Sequence, residues 1–120
     1  MKKTYFLLLA LCLFTSVTAQ IINFPDANFK AKLLASNTTN EIAKDINGNK
    51  IKIDANNNGE IEFNEALNVF ELWISFASIS SLDGIENFTN LKTLNCSYNQ
   101  ITNLDFTGLN NLKTCSLGRA

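Results

Sequence analysis

The sequence predicts an α+β fold. A helical N-terminal cap with an oxygen-rich loop leads into a solenoid of short parallel strands, each repeat roughly 21–22 residues long. Three observations predict it. Ala27, Phe29, Ala31, Leu33 and Leu34 recur at helical spacing behind Phe24-Pro25-Asp26. Residues 54–65 run Asp, Asn, Asn and Glu around a single glycine in a fixed order. From Val69 onward one apolar pattern returns, first at Leu91 and again at Leu112.

Composition narrows the function classes. The 120 residues are 46% hydrophobic and 18% charged, enough to form a core and unlike a disordered tail. Ten Lys+Arg stand against eleven Asp+Glu, a net charge of −1, which argues against a nucleic-acid binder because phosphate contacts need a basic excess. The chain has no histidine. That excludes Ser-His-Asp and Cys-His catalysis, His-ligated zinc and an imidazole pH switch. Asparagine is the outlier, with 18 residues.

Met1-Lys2-Lys3, the apolar run Tyr5 to Phe14, and Val17 and Ala19 at the −3 and −1 positions have the form of a signal peptide over residues 1–19, cut before Gln20. The run is too short for a helix across a bilayer, which needs about 20 apolar residues. Removal of Lys2 and Lys3 leaves eight basic and eleven acidic residues, a net charge of −3. The expected localisation is therefore secreted, extracellular or at the cell surface.

In the cap, residues 20–68, Asp26 is placed to cap the helix or sit in its first turn, and Asn37-Thr38-Thr39-Asn40 ends it. An Asn47-Gly48 turn follows, and Ile51-Lys52-Ile53 alternates like a short strand. The segment Asp54 to Glu65 then fits the twelve-position Ca2+ loop. Calcium is a hard cation that takes six to eight oxygens. Asp54, Asn56 and Asn58 supply side-chain oxygens at positions 1, 3 and 5, and Gly59 permits the sharp turn at position 6. Glu60 offers its backbone carbonyl at position 7, and Ile61 points into the core. Glu62 ligates directly or through water, and Glu65, held by a helix over 63–69, closes the sphere with two oxygens. The competing reading is an Asn/Gly-rich turn, which needs neither an apolar position 8 nor a glutamate at position 12. A strand ahead of the loop and the single copy of it predict an EF-hand-like site that is structural. Its affinity should fall in the range of extracellular modules, Kd roughly 10⁻⁴–10⁻³ M.

In residues 69–120, Asn90, Leu91, Lys92 and Thr93 are identical to Asn111, Leu112, Lys113 and Thr114. Val69, Leu72, Ile74, Ile79 and Leu82 align with Leu91, Leu94, Cys96, Ile101 and Leu104. The pattern L-x-x-L-x-L-x-x-N-x-I-x-x-L is that of a leucine-rich repeat. Asn99 takes the bend position whose amide satisfies backbone groups. Ala77 replaces it in the first repeat and predicts an irregular turn there. Cys96 and Cys115 fall at different strand positions, their Cα atoms roughly 8 Å apart and beyond disulfide reach, so both are expected as buried free thiols.

Phe24-Pro25-Asp26-Ala27-Asn28-Phe29-Lys30, the loop 53–66, and Asn95-Cys96-Ser97-Tyr98-Asn99-Gln100-Ile101-Thr102-Asn103-Leu104-Asp105 together resemble the exported leucine-rich-repeat proteins of Bacteroidetes-type bacteria, with internalin-like repeats. The resemblance implies an N-terminal cap, many further repeats and a C-terminal sorting signal. This chain has about two and a half repeats, which predicts an amino-terminal piece of a longer protein or a truncated reading frame.

Between the inward leucines, Glu71, Trp73, Ser75, Thr93, Asn95, Ser97, Thr114 and Ser116 are expected on the concave face, a polar strip suited to a protein or glycan ligand. Trp73 has a second reading, packing against the cap. The expected function is non-enzymatic binding or adhesion with structural Ca2+. The alternatives are a calcium-responsive regulator and a non-functional fragment of a longer surface protein. An enzyme is not expected: no nucleophile or base pair accompanies the carboxylates.

Overall fold

Asp26 starts the first helix. In the computed structural model, which describes residues 20–117, its Oδ1 accepts from the Asn28 N–H (2.9 Å) and the Phe29 N–H (3.1 Å) ahead of α1, Ala27–Leu34. The leader reading falls on residues outside this range. Phe29 and Leu33, four apart on one face, are buried. Pro25 precedes the cap residue rather than opening the helix.

The expected strand at 51–53 is not formed. The strand in this region is β1, Ala43–Lys44, and Lys44 bridges to Lys50 across a tight turn. Asp45 holds that turn, its Oδ1 accepting from Asn47 and Asn49 N–H, each at 2.9 Å. Pairing with β1 reaches Ile51 and then stops. Ile51 N–H reaches the Ala43 carbonyl (3.0 Å), and Ile53 N–H goes to the buried Ser36 hydroxyl (3.0 Å). Residues 20–22 run antiparallel to 61–63, with Ile22 N–H on the Ile61 carbonyl (2.8 Å). The helix after the loop, α2, is Phe63–Ala66, shorter than the expected 63–69.

The repeat follows as β2 (Glu71–Trp73), a 3-10 turn (Ile85–Asn87), β3 (Thr93–Asn95) and β4 (Thr114–Ser116). The sheet order is β1-β2-β3-β4, with β1 antiparallel to β2 and the other pairs parallel. The register pairs Leu72 with Leu94 and Leu94 with Cys115, the same alignments that the sequence repeat sets. Leu72, Ile74, Ile79, Leu91 and Leu94 are fully buried on one side of these strands. Asparagine ties successive repeats from outside: Asn90 Nδ2 donates to the Leu67 carbonyl (2.9 Å) and Asn111 Nδ2 to the Thr89 carbonyl (3.1 Å).

Four phenylalanine and glycine positions join the N-terminal segment to the first repeat. Phe24 packs edge-on to Phe29, ring centroids 5.2 Å apart, and tilts against the buried Phe88 at 6.3 Å. Gly84, at φ +107°, lets the chain pass over Phe24, because a Cβ there would lie 2.5 Å from that ring. The second Asp26 oxygen crosses the same joint, accepting from Ser80 N–H (2.7 Å) and Ser81 N–H (3.0 Å).

Candidate functional site

The acidic loop is built around three buried carboxylates. Asp54, Glu62 and Glu65 are 4%, 2% and 5% exposed, while the loop residues between Ala55 and Gly59 are exposed. Asp54 accepts from the backbone: Asn58 N–H on Oδ1 (3.2 Å) and Gly59 N–H on Oδ2 (2.9 Å). Gly59 sits at φ +80°, the left-handed conformation that aims its N–H back into the loop. Glu65 Oε1 accepts from Glu62 N–H (3.0 Å), and its Oε2 from Asn56 N–H (3.3 Å). Glu62 is clasped by two side-chain amides, Asn56 Nδ2 at 2.7 Å and Asn58 Nδ2 at 2.9 Å. Ile61 is fully buried, pointing into the core.

Asp54, Asn56, Asn58, Glu62 and Glu65 thus belong to one hydrogen-bonded network. Glu60 is apart from it, its side chain paired with Lys30 Nζ at 2.6 Å. Among the described residues no group of three or more acidic or cysteine side chains stands arranged to hold a metal ion. Among the described residues the network also has no cation of its own. The ion pairs found among the described residues join Lys30 to Glu60 and Lys44 and Lys50 to Glu41, and none reaches Asp54, Glu62 or Glu65.

On the strands, Glu71 and Trp73 flank the buried Leu72, Thr93 and Asn95 flank the buried Leu94, and Thr114 and Ser116 flank Cys115. Register alone therefore aligns Glu71, Thr93 and Thr114 in one row and Trp73, Asn95 and Ser116 in another. Trp73 is 38% exposed, with its indole Nε1–H 3.4 Å from Glu71 Oε1, and does not join the packed core. Ser75 is half-buried, and Ser97, expected on the open face, is buried at 7% exposure. Ser97 N–H is bound to Asn95 Oδ1 (3.0 Å), which draws it into the bend.

Among the described residues Cys96 and Cys115 are free, and Cys96 is buried; Cys115, expected inside, is exposed. β4 lies at the sheet edge, and no described residue packs over it, which also leaves Leu104 and Leu117 39% and 42% exposed. Burial, reinforced by the nearby Cys115, pushes the Cys96 thiol up to about 11, so it stays protonated at neutral pH.

Two features escaped the sequence reading. One is the double role of Asp26, since nothing in a sequence says that the second oxygen of a helix cap will meet a turn 54 residues away. The other is a stacked pair, Phe76 and Tyr98, with ring centroids 4.4 Å apart and planes 7° from parallel. The available signal was that they stand one repeat apart, because the repeat alignment sets them side by side.

Comparison with known proteins bears on the strands. Residues 67–111 match the family model for Leucine Rich repeats (2 copies), a span that contains β2 and β3. This part of the chain is leucine-rich repeat, a fold that generally serves protein interaction rather than catalysis. A solved structure described as the CBM51-2 and INT domains of Clostridium perfringens ZmpB is similar at 25% identity and a TM-score of 0.59, over 82% of this chain and 18% of that one. The structure of CBM51-2 in complex with GlcNAc and INT domains of the same protein is similar at 25% identity and a TM-score of 0.58, over 80% of this chain and 17% of that one. The chain therefore spans less than a fifth of those chains. No curated protein matches the sequence.

Proposed function

We propose that this chain is a non-enzymatic, exported leucine-rich-repeat module that captures a protein partner on the outward rows of its strands, behind an N-terminal cap braced by Ca2+. The observation that carries the binding role is the division of the strands. Leu72 and Leu94 are sealed inside while Trp73, a residue type that anchors interfaces, stands 38% exposed at the end of the row it shares with Asn95 and Ser116. The leader-like residues 1–19 support export. Trp73→Ala should weaken capture of a purified surface-protein partner by about 2 kcal/mol, measured by interferometry, with little change in melting temperature. A variant that mainly melts lower would show that the indole serves packing instead.

The donor chemistry of the loop fits a hard divalent cation. It offers only oxygens, and three of its carboxylates are buried with no ammonium partner among the described residues. Asp54, Asn56, Asn58, Glu62 and Glu65 would hold the ion, with Glu60 giving its backbone carbonyl. When bound, Ca2+ supplies the positive charge this network lacks. It would tie the start of the loop to α2. An ion that binds only the folded chain stabilises it by about 2.7 kcal/mol at a hundredfold excess over Kd. Calcium should therefore raise the melting temperature of the parent and leave Glu65→Ala unchanged. Equal shifts in both would remove the ion from this loop, and a large change in circular dichroism on calcium addition would favour a calcium-responsive regulator.

A further inference from the structure

We propose that the Phe76–Tyr98 stack is a binding platform for a neutral pyranose glycan, a site separate from the strand face and independent of the reading given for it. The two rings follow β2 and β3 at equivalent places, three residues beyond Trp73 and Asn95. Their planes are 7° apart at 4.4 Å, so each ring covers one face of the other and leaves its outer face for a ligand. Phe76 is 75% exposed and Tyr98 40%.

Both residues have left-handed backbone, φ +54° and +59°, a conformation that bulky side chains rarely adopt. The surrounding bend enforces it. Asn99 Oδ1 accepts from Ala77 and Ile79 N–H, both at 3.0 Å, and its amide donates to the Ile74 (2.9 Å) and Cys96 (3.0 Å) carbonyls. Each ring is thus held out from a fixed backbone, and a ligand would meet it already ordered.

The chemistry around the rings selects the ligand class. Residues 72–82 and 93–104 contain no Lys, Arg, Asp or Glu, while Ser78, Ser80 and Gln100 are exposed hydroxyl and amide groups. An aromatic face carries partial negative charge, and the C–H face of a pyranose presents weakly positive hydrogens to it. The sugar hydroxyls then meet uncharged donors and acceptors.

Saturation-transfer NMR on the full chain tests this, with cellohexaose, laminarihexaose and mannohexaose as neutral probes and a heparin hexasaccharide as the anionic one. At least one neutral hexaose should receive saturation on its ring C–H protons. Phe76→Gly combined with Tyr98→Gly, which removes both rings, should weaken that binding about tenfold or more. Glycine suits the left-handed backbone at both positions, so the double variant should melt no lower than the parent. Tyr98→Phe, which keeps both rings, and Trp73→Ala, outside the stack, should bind as the parent does. Saturation of heparin alone, of no hexaose, or equal binding by the double variant would overturn the proposal. So would loss of binding in Trp73→Ala, which would move the glycan to the strand face.

Discussion

The bends after β2 and β3 are one repeat apart and solve the same problem with unequal means. In the second bend, Asn99 serves its own backbone by donating to the Cys96 and Ser97 carbonyls. In the first bend the corresponding residue is Ala77, which has no side-chain polar group, yet its N–H is satisfied because Asn99 reaches back across the repeat. The same amide takes the Ile79 N–H and the Ile74 carbonyl. From the other side the N-terminal helix supplies the rest, with Asn28 Nδ2 on the Ser78 carbonyl (2.9 Å) and Asp26 on the Ser80 and Ser81 N–H groups. A repeat between two neighbours can dispense with its own asparagine. The cost is irregularity: the first bend has left-handed residues at both Phe76 and Ser78, and the second only at Tyr98.

This contrast can be broken from either side. Asn99→Ala should be the most damaging change, because it strips partners from two bends at once. Leaving several partly buried backbone groups unpaired costs roughly 3 kcal/mol or more, read as a fall in the denaturation midpoint. Asp26→Ala should come next. It removes a helix cap worth about 1 kcal/mol together with two contacts to the first bend, and leaves the second bend intact.

Acid should sharpen the second comparison. Desolvation tends to raise the Asp26 pKa, but the backbone N–H groups of Ser80, Ser81, Phe29 and Asn28 outweigh it and hold the carboxyl below its ordinary value. With the folded pKa below the unfolded one, this contribution is complete above the unfolded value, near pH 3.8, and is lost as pH falls through the folded pKa. The gap in melting temperature between parent and Asp26→Ala should therefore narrow below about pH 4. A gap that stays constant through that range would mean Asp26 acts only by shape.

The repeat was legible in the order of amino acids. Its apolar positions recur in strand register, Leu72 on Leu94 and Leu94 on Cys115, and Asn99 could be assigned to the bend because an amide both donates and accepts. The loop was legible as a connected set for a similar reason: an Asp, Asn and Glu pattern around Gly59 has a local turn geometry. The strand expected at 51–53 failed because alternation shows that a segment could pair, while pairing depends on what lies alongside, here the Ser36 hydroxyl. Ser97 and Cys115 were misplaced for the same kind of reason, one drawn inward by Asn95 and the other left uncovered at the sheet edge.

What the sequence by itself determined is whatever repeats or closes over a few residues: the strand register, the inward leucines, the helix cap and the order of oxygens in the loop. Periodicity and short-range hydrogen bonding are written in neighbouring residues, so they can be read there. Only the tertiary structure decided the contacts between distant segments. These are Asp26 on the bend after β2, Gly84 against the Phe24 ring, and Phe76 on Tyr98. Each depends on where a second segment comes to rest, and that position follows from packing the whole core rather than from either segment alone.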